Sequence, residues 1–217
     1  MTLADPGSTA RTTVKRIPDR AVRDRRIAYE ILDAARLAHV AVVIDGTPFV
    51  MPVAAARDGD HLLFHGSPAS RLFRALSAGL PCCATVTLVD GLVVARSAFE
   101  SSMNYRCVMV FGQASALEGS AKSRALDVIT EHLMPGRGRD ARASTDQELK
   151  ATSVVSLPLN EISVKVRDGG ADESAQDRGL PIWAGVLPIH TAYGSPLTDA
   201  DVPAGTSVPD YIQTWHP

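Results

Sequence analysis

The sequence predicts a mainly β (α+β) protein, an antiparallel barrel or sandwich with a few flanking helices. Asp-Gly pairs separate several short apolar runs, and Asp-Gly favours the type I′ hairpin turn, in which both central residues need a positive φ. Six or more such runs have short connections, and only two or three segments have helical spacing. Strands and helices do not alternate regularly, which disfavours a doubly wound parallel sheet.

Length and composition exclude several classes of protein. The 217 residues are 45% hydrophobic, which is enough for one sizeable core, and a net charge of −2 gives no reason to expect a nucleic-acid partner. The three cysteines form neither a disulfide framework nor a CxxC pair. No apolar run approaches the roughly 18 residues of a membrane span, and no secretory signal is recognisable. We therefore expect a cytoplasmic protein without a membrane partner.

The first half of the chain predicts one helix followed by a meander of strands. Residues 19–37 have helical spacing, and three strands follow, joined by Asp-Gly turns. Pro48 and Pro52 cannot donate to a ladder, so the second strand is expected at an edge, to be bulged, or to leave its backbone open to a ligand. The three strands are predicted over residues 39–44, 47–57 and 61–65.

A strand that passes directly into a helix is the most informative stretch. The apolar run ends at Gly66, Ser67 is a suitable N-cap, and Pro68 is a suitable first helical residue. Ser70 and Arg71 follow within the first predicted turn. Free backbone N–H groups, hydroxyls and a guanidinium together suit a phosphate ester, although a capped helix with a solvated arginine is the simpler alternative.

The second half of the chain predicts further strands and one more amphipathic helix. A turn is expected at Asp90-Gly91, residues 101–104 are expected to form a loop, and residues 152–166 resemble one long strand. The predicted organisation is a flexible arm over residues 1–18, a domain over 19–190 and a tail over 191–217. Other predicted segments are the helices 68–78 and 121–133, the strands 82–88, 92–95 and 105–114, and a helical turn at 145–150.

Several motifs resemble the pyridoxamine 5′-phosphate oxidase-like, split β-barrel flavin-binding proteins, and most closely the branch that contains the 5-nitroimidazole reductases. The motifs are Phe49-Val50-Met51-Pro52-Val53, Phe64-His65-Gly66-Ser67 with Ser70-Arg71, the run from Ser102 to Gly112, and Trp183-Ala184-Gly185-Val186-Leu187-Pro188. The resemblance implies a homodimer of six-stranded antiparallel split barrels, with FMN held in grooves at the dimer interface.

The resemblance also assigns site residues. It places Ser67, Ser70, Arg71 and Arg106 around the FMN phosphate, where two guanidinium groups would suit a dianion. It places the other cofactor-binding residues along the isoalloxazine ring or leading to it: Val53, Phe64, His65, Gly66, Asn104, Tyr105 and Trp183, the last of which could come from the partner subunit. No spacing suggests a metal site.

His65 is the candidate catalytic residue, because a histidine in this motif lies beside the flavin in the nitroimidazole reductase branch. It could deliver a proton to a reduced substrate, or it could only hold backbone or ribityl groups. The resemblance implies an FMN-dependent reductase of a nitro compound or quinone with a nicotinamide donor. The alternatives are a flavin carrier or sensor, or a split barrel that binds FAD, F420 or haem; His190 is a possible axial ligand for haem.

Overall fold

The computed structural model describes residues 3–215. Nine strands lie within that range: β1 Leu37–Ile44, β2 Thr47–Asp58, β3 His61–Gly66, β4 Pro81–Val94, β5 Ser102–Gln113, β6 Ser115–Ala116, β7 Ser153–Pro158, β8 Glu161–Arg167 and β9 Gly185–Pro188. The helices are α1 Arg25–Ala34, α2 Arg71–Ser77, α3 Gly119–Leu133, α4 Asp146–Lys150, α5 Ala175–Arg178 and α6 Asp210–Gln213, with short 3-10 helices at Pro18–Arg20 and Arg137–Arg139.

The strands form one antiparallel sheet in the order β6-β7-β3-β2-β1-β4-β5-β8, with β9 added to β4. The sheet curls into a half-barrel because β2 pairs with β1 along residues 47–54 and then with β3 along residues 55–58. The predicted antiparallel split barrel with flanking helices is confirmed, but the described part of the chain has nine strands instead of six.

The hairpin between β1 and β2 has the predicted turn, since Asp45 and Gly46 have φ values of 50° and 74°. The prediction of a turn at Asp90-Gly91 is wrong. There β4 continues through a β-bulge between Val89 and Gly91. A side chain at Gly91 would lie 3.0 Å from the carbonyl oxygen of Leu187, so glycine here favours the close approach of β9.

The predicted first helix, residues 19–37, is too long at both ends, since α1 ends at Ala34 and Leu37 already begins β1. α1 begins at Arg25 because the side chain of Asp24 accepts a hydrogen bond from the Arg26 N–H at 2.9 Å, which caps the helix. The residues before it form a 3-10 turn, after which Ala21 pairs with Lys165 of β8. Capping and sheet pairing thus determine where this helix begins.

Two other segments also differ from the prediction. Residues 152–166 form two strands, β7 and β8, because the chain turns at Leu159 and Asn160, where the Leu159 N–H donates to the Asp60 carbonyl at 2.8 Å. The expected loop at residues 101–104 belongs mostly to β5, since Ser102 and Met103 pair with β4. The apolar composition of residues 152–166 did not show the turn between β7 and β8. The polar composition of residues 101–104 suggested a loop where β5 begins.

The main core lies inside the half-barrel, between the sheet and the helices α1 and α2. It contains fully buried side chains from most strands and both helices, among them Ile31, Val40, Phe64, Leu76, Val108 and Leu157. A second, smaller cluster packs α3 against the other face of β2, β3 and β7: Ala56, Leu63, Ala125, Ile129 and Val154. The two clusters fix both faces of β3, the strand that leads to the predicted site.

Both terminal segments contact the domain. The arm lies along β8, where the Gly7 N–H donates to the Ile162 carbonyl at 2.9 Å and Arg11 pairs with Glu161. The tail returns to the end of α3, where the Trp215 Nε1–H donates to the Pro135 carbonyl at 2.8 Å. Residues 1, 2, 216 and 217, the extremities of the predicted arm and tail, lie outside the described residues. Within residues 3–215, none of the helices has the length and apolarity needed to cross a membrane.

Candidate functional site

The end of β3 and the start of α2 bring several predicted residues together. The Arg71 guanidinium lies over the ring of Phe49 in β2, 4.6 Å from its centroid, which is a cation–π contact. Within the described part of the chain, Arg71 forms no ion pair, and the Ser70 side chain forms no hydrogen bond although Ser70 is the N-cap. The Arg71 guanidinium, positioned by Phe49, and the Ser70 hydroxyl therefore remain available to an anionic ligand.

The local backbone differs from the predicted arrangement in two respects. α2 begins at Arg71, not at Pro68, and the Ser67 hydroxyl accepts a hydrogen bond from the Ala69 N–H at 3.2 Å. Gly66 does not have a positive φ; instead, a side chain there would lie 2.3 Å from the ring of Phe73 in α2. Gly66 is thus required because α2 packs directly on the end of β3.

His65 lies half-buried beside this turn. Its Nδ1 atom is buried without a hydrogen-bond partner, whereas Nε2 is not among the buried unpaired atoms. Burial lowers the pKa of His65 because it disfavours the charged imidazolium. The ring is therefore neutral at pH 7, with one nitrogen available as a donor or acceptor to a bound molecule.

Phe64 and Val53 relate differently to the predicted cofactor. Phe64 is fully buried in the main core, with a relative exposure of 0%, so its side chain does not line a surface groove. Val53 is partly buried and packs against the same core from β2. The remaining candidates of this first cluster, Gly66, Ser67, Ser70 and Arg71, are adjacent to His65 along the chain.

Arg106 belongs to a separate region of the molecule. Its guanidinium makes two hydrogen bonds to the carboxylate of Asp90, at 2.7 and 2.9 Å. The Arg71 guanidinium lies over Phe49, and Phe49 is aligned across the sheet with Gly112 of β5. Gly112 is six residues from Arg106, which corresponds to about 20 Å along the strand. One protomer therefore does not bring the two arginines together, and the role of Arg106 at a phosphate stays a prediction.

A polar network surrounds the predicted residue Asn104. The Asn104 side chain donates to the Gly169 carbonyl at 3.0 Å and accepts from Arg167 at 2.5 Å, so both ends of its amide are held by protein groups. Nearby, the Arg96 guanidinium and backbone N–H both bind the buried carboxylate of Glu173. These contacts fix the segment that leads to β9.

Trp183 and Tyr105 complete this second group of candidates. Trp183 is 68% exposed just before β9, at the end of β4 distant from Arg71. Tyr105 lines a cavity of about 300 Å³ between β5 and the arm. The two groups of candidate residues lie at opposite ends of the protomer. The roles of Trp183 and Tyr105 at a cofactor therefore stay predictions.

The Glu173 network predicts a pH-dependent stability. The Arg96 N–H and guanidinium hold the pKa of Glu173 below its usual range. Glu173 therefore stabilises the folded protein above the ordinary carboxyl pKa, and this stabilisation is lost as the pH falls through the lowered pKa. Glu173→Gln is expected to lower the thermal midpoint by a few degrees at pH 7, and the difference from the wild type should shrink in acid. Glu30→Gln, an exposed carboxylate on α1, is the control; an equal effect of both variants would contradict the role of the network.

Sequence reasoning missed several residues that the fold brings into the site regions. Asp90 was assigned to a turn, whereas it lies in the bulge of β4, from which its carboxylate binds Arg106. A groove of about 730 Å³ next to α2 includes cations from three separate helices, and no spacing in the sequence connects them.

Within residues 3–215 no three His, Cys, Asp or Glu side chains form a group that could hold a metal ion. Burial raises the pKa of Cys82 to about 11 and also raises the pKa of Cys83 and of Cys107, which disfavours their thiolate forms.

Comparison with known proteins identifies the class. The sequence model of the pyridoxamine 5′-phosphate oxidase family matches residues 24–166, which is well over half of the chain. The chain therefore belongs to the pyridoxamine 5′-phosphate oxidase-like family, as its motifs predicted. No curated protein gives a match.

Solved structures give more particular relatives. The FAD and haem binding protein from Mycobacterium smegmatis is 41% identical with a TM-score of 0.87, and the match covers 89% of this chain and 96% of that one. The flavocytochrome Anf3 from Azotobacter vinelandii is 38% identical with a TM-score of 0.90, covering 96% of this chain and 97% of the other. A 5-nitroimidazole antibiotic resistance protein from Bacteroides thetaiotaomicron is 23% identical with a TM-score of 0.56, covers 67% and 86% of the two chains, and shares the fold.

Proposed function

We propose that this protein is a flavin-binding redox protein whose flavin phosphate lies at the turn between β3 and α2. The observation that supports it best is the Arg71 guanidinium, which lies over Phe49 and forms no ion pair within residues 3–215, while Ser70 at the same turn leaves its hydroxyl without a cap hydrogen bond. A guanidinium suits phosphate oxygens, and a neutral imidazole suits the edge of a flavin ring or ribityl chain.

FAD is favoured over the FMN expected from the sequence. The two relatives that match nearly the whole chain at about 40% identity are described as an FAD and haem binding protein and as a flavocytochrome. The flavin supplies the hydride and electron chemistry when it is bound. The residues of this chain would orient it, neutralise its phosphate and exclude water from its ring.

A haem is the second proposed redox group, on the strength of the same two relatives. A haem needs an axial ligand, and the exposed His190, which follows β9, is our candidate for it. Haem supplies one-electron transfer when bound. The reductase activity inferred from the motifs, with a nicotinamide donor and a nitro compound or quinone as acceptor, is compatible with a flavin next to His65 and belongs to this proposal.

The functional unit is proposed to be a homodimer. One face of the sheet leaves apolar side chains of β1 and β2 exposed, including Leu37, Val43 and Val50 at 46%, 58% and 59%. A second exposed row crosses β9, β4 and β5 through Leu187, Leu92 and Met103. Burial of both surfaces by a second copy would bring one protomer's Arg106 and Trp183 toward the other's Arg71 turn. Light scattering that showed a monomer with bound cofactor would contradict this assembly.

The visible spectrum of the purified protein tests the proposal together with Arg71→Ala. The wild type is expected to show flavin bands and a haem Soret band. Arg71→Ala should bind flavin about ten- to a hundredfold more weakly, because loss of a charge-assisted hydrogen bond costs about 1.5–3 kcal/mol, and it should keep the Soret band. Arg23→Ala, an exposed arginine before α1, is the control. A wild-type protein without flavin bands, even after incubation with FAD, would contradict the function.

A further inference from the structure

The N-terminal arm closes a cavity of about 300 Å³ against the face of β5 and β8 that is turned away from the main core. Residues 11–14 of the arm form one wall, and alternate side chains of the two strands form the other. The strand residues are Tyr105, Cys107, Met109, Phe111, Ser163 and Lys165. The volume is at the lower end of the range of small-molecule sites in proteins. Because the arm and the strands belong to the same chain, one protomer supplies all of these walls.

Glu161 of β8 holds the arm in place beside this cavity. Its carboxylate accepts hydrogen bonds from the Thr9 hydroxyl at 2.5 Å and from the Arg11 Nε–H at 3.0 Å. The Arg11 guanidinium also lies over the ring of Phe111, 5.3 Å from its centroid. Thr12, the next residue, is only 1% exposed. This part of the arm is therefore tied to the sheet, unlike a chain end without such contacts.

The cavity has a mainly apolar lining with one cation that lacks a carboxylate partner. The half-buried Lys165 forms no ion pair within residues 3–215, and its ammonium makes only a long hydrogen bond there, to the Arg16 carbonyl at 3.4 Å. The other lining cation, Arg11, is already paired with Glu161. None of the lining residues, all of which the structure describes, is acidic. The cavity therefore favours an occupant with one negative charge and an apolar body.

We propose that this cavity binds a small aromatic carboxylate, with its ring beside Tyr105, Met109 and Phe111 and its carboxylate at Lys165. Aromatic and thioether side chains favour contact with a planar ring, and an ammonium group donates charge-assisted hydrogen bonds to a carboxylate. Hydroxyl groups of the arm and of β8 are further donors. In the sheet, β2, β1 and β4 separate β5 from β3, which leads to the proposed flavin turn. This site is thus a second one, and it does not depend on the flavin.

The thiol of Cys107 lines the cavity and can report on its occupancy. The full-length protein is treated with N-ethylmaleimide, and a tryptic peptide map separates Cys107 from the other two cysteines. Benzoate is the probe, and benzamide is its neutral analogue. Benzoate is expected to protect Cys107 at a concentration about tenfold lower than benzamide, the usual effect of one charge-assisted contact. Lys165→Met should remove this difference and leave protection by benzamide unchanged, whereas Lys150→Met, an exposed lysine outside the cavity, should preserve it.

Glu161→Ala tests the wall that the arm forms. Without a probe, Cys107 should react several-fold faster in this variant than in the wild type, and benzoate and benzamide should both protect it less. Glu30→Ala, which removes an exposed carboxylate of α1, should behave as the wild type does. The proposal is overturned if neither compound protects Cys107, if both protect it equally in the wild type, or if the preference for benzoate survives Lys165→Met. Unchanged labelling and protection in Glu161→Ala would also overturn it.

Discussion

Replacing His65 by alanine is expected to slow electron transfer from the reduced flavin to substrate by about a hundredfold or more, while the protein keeps its flavin. A positioned acid contributes this much when it protonates the substrate as electrons arrive. Reduction of the flavin by a nicotinamide donor should change less, because hydride transfer to the flavin needs no proton from His65. Stopped-flow measurement of the two half-reactions separates the effects.

The acid dependence of the same rate gives an independent check. Burial lowers the pKa of His65, so the ring is neutral at pH 7 and its protonated fraction rises as the pH falls toward the lowered value. The oxidative half-reaction of the wild type should therefore accelerate in acid, and that of His65→Ala should not. His61→Ala, an exposed histidine on the same strand, is the control. An undiminished oxidative half-reaction in His65→Ala would exclude the catalytic role of His65. Loss of the haem Soret band from that variant would indicate that His65 is a haem ligand instead.

Phe64→Ala is expected to destabilise the protein by about 3–5 kcal/mol, because it removes a fully buried aromatic ring from the main core and leaves a cavity. Chemical denaturation of the wild type and the variant measures this. Phe64→Leu should cost much less, since it fills most of the space. Phe99→Ala, which truncates a ring that is 95% exposed, should have almost no effect. A stable Phe64→Ala protein that had lost only its flavin would support the cofactor role expected from the motif.

Phe64 shows how far sequence reasoning extends at this site. The motif around it predicted a strand that ends at Gly66 and leads into a helix, and β3 and α2 confirm both elements, while the family comparison confirms the fold that the motif implied. A motif does not say which face of a strand each residue occupies, however. In β3, Phe64 faces the main core and Leu63 faces α3, and both faces are buried, so alternation of polarity could not distinguish them.

The other discrepancies have similar causes. Asp90-Gly91 has the composition of a hairpin turn, but the approach of β9, over 90 residues later in the chain, makes it a bulge within a strand. The motif assigned Asn104 to the cofactor, and it did not show that Arg167 and Gly169 also hold the Asn104 amide. Local turns with their own chemistry, such as Asp45-Gly46, were predictable, and contacts between distant segments were not.

β4 has a consequence for how the Trp183 segment could move. Its first half pairs with β1 inside the half-barrel, its second half pairs with β9, and β5 accompanies it along almost its whole length. The segment that carries Trp183 is therefore fastened to a continuous ladder, with four residue pairs from Gly91 to Val94. To move away from β4, the segment must break those backbone hydrogen bonds one after another. Its release would therefore be a local unfolding event instead of a free hinge movement.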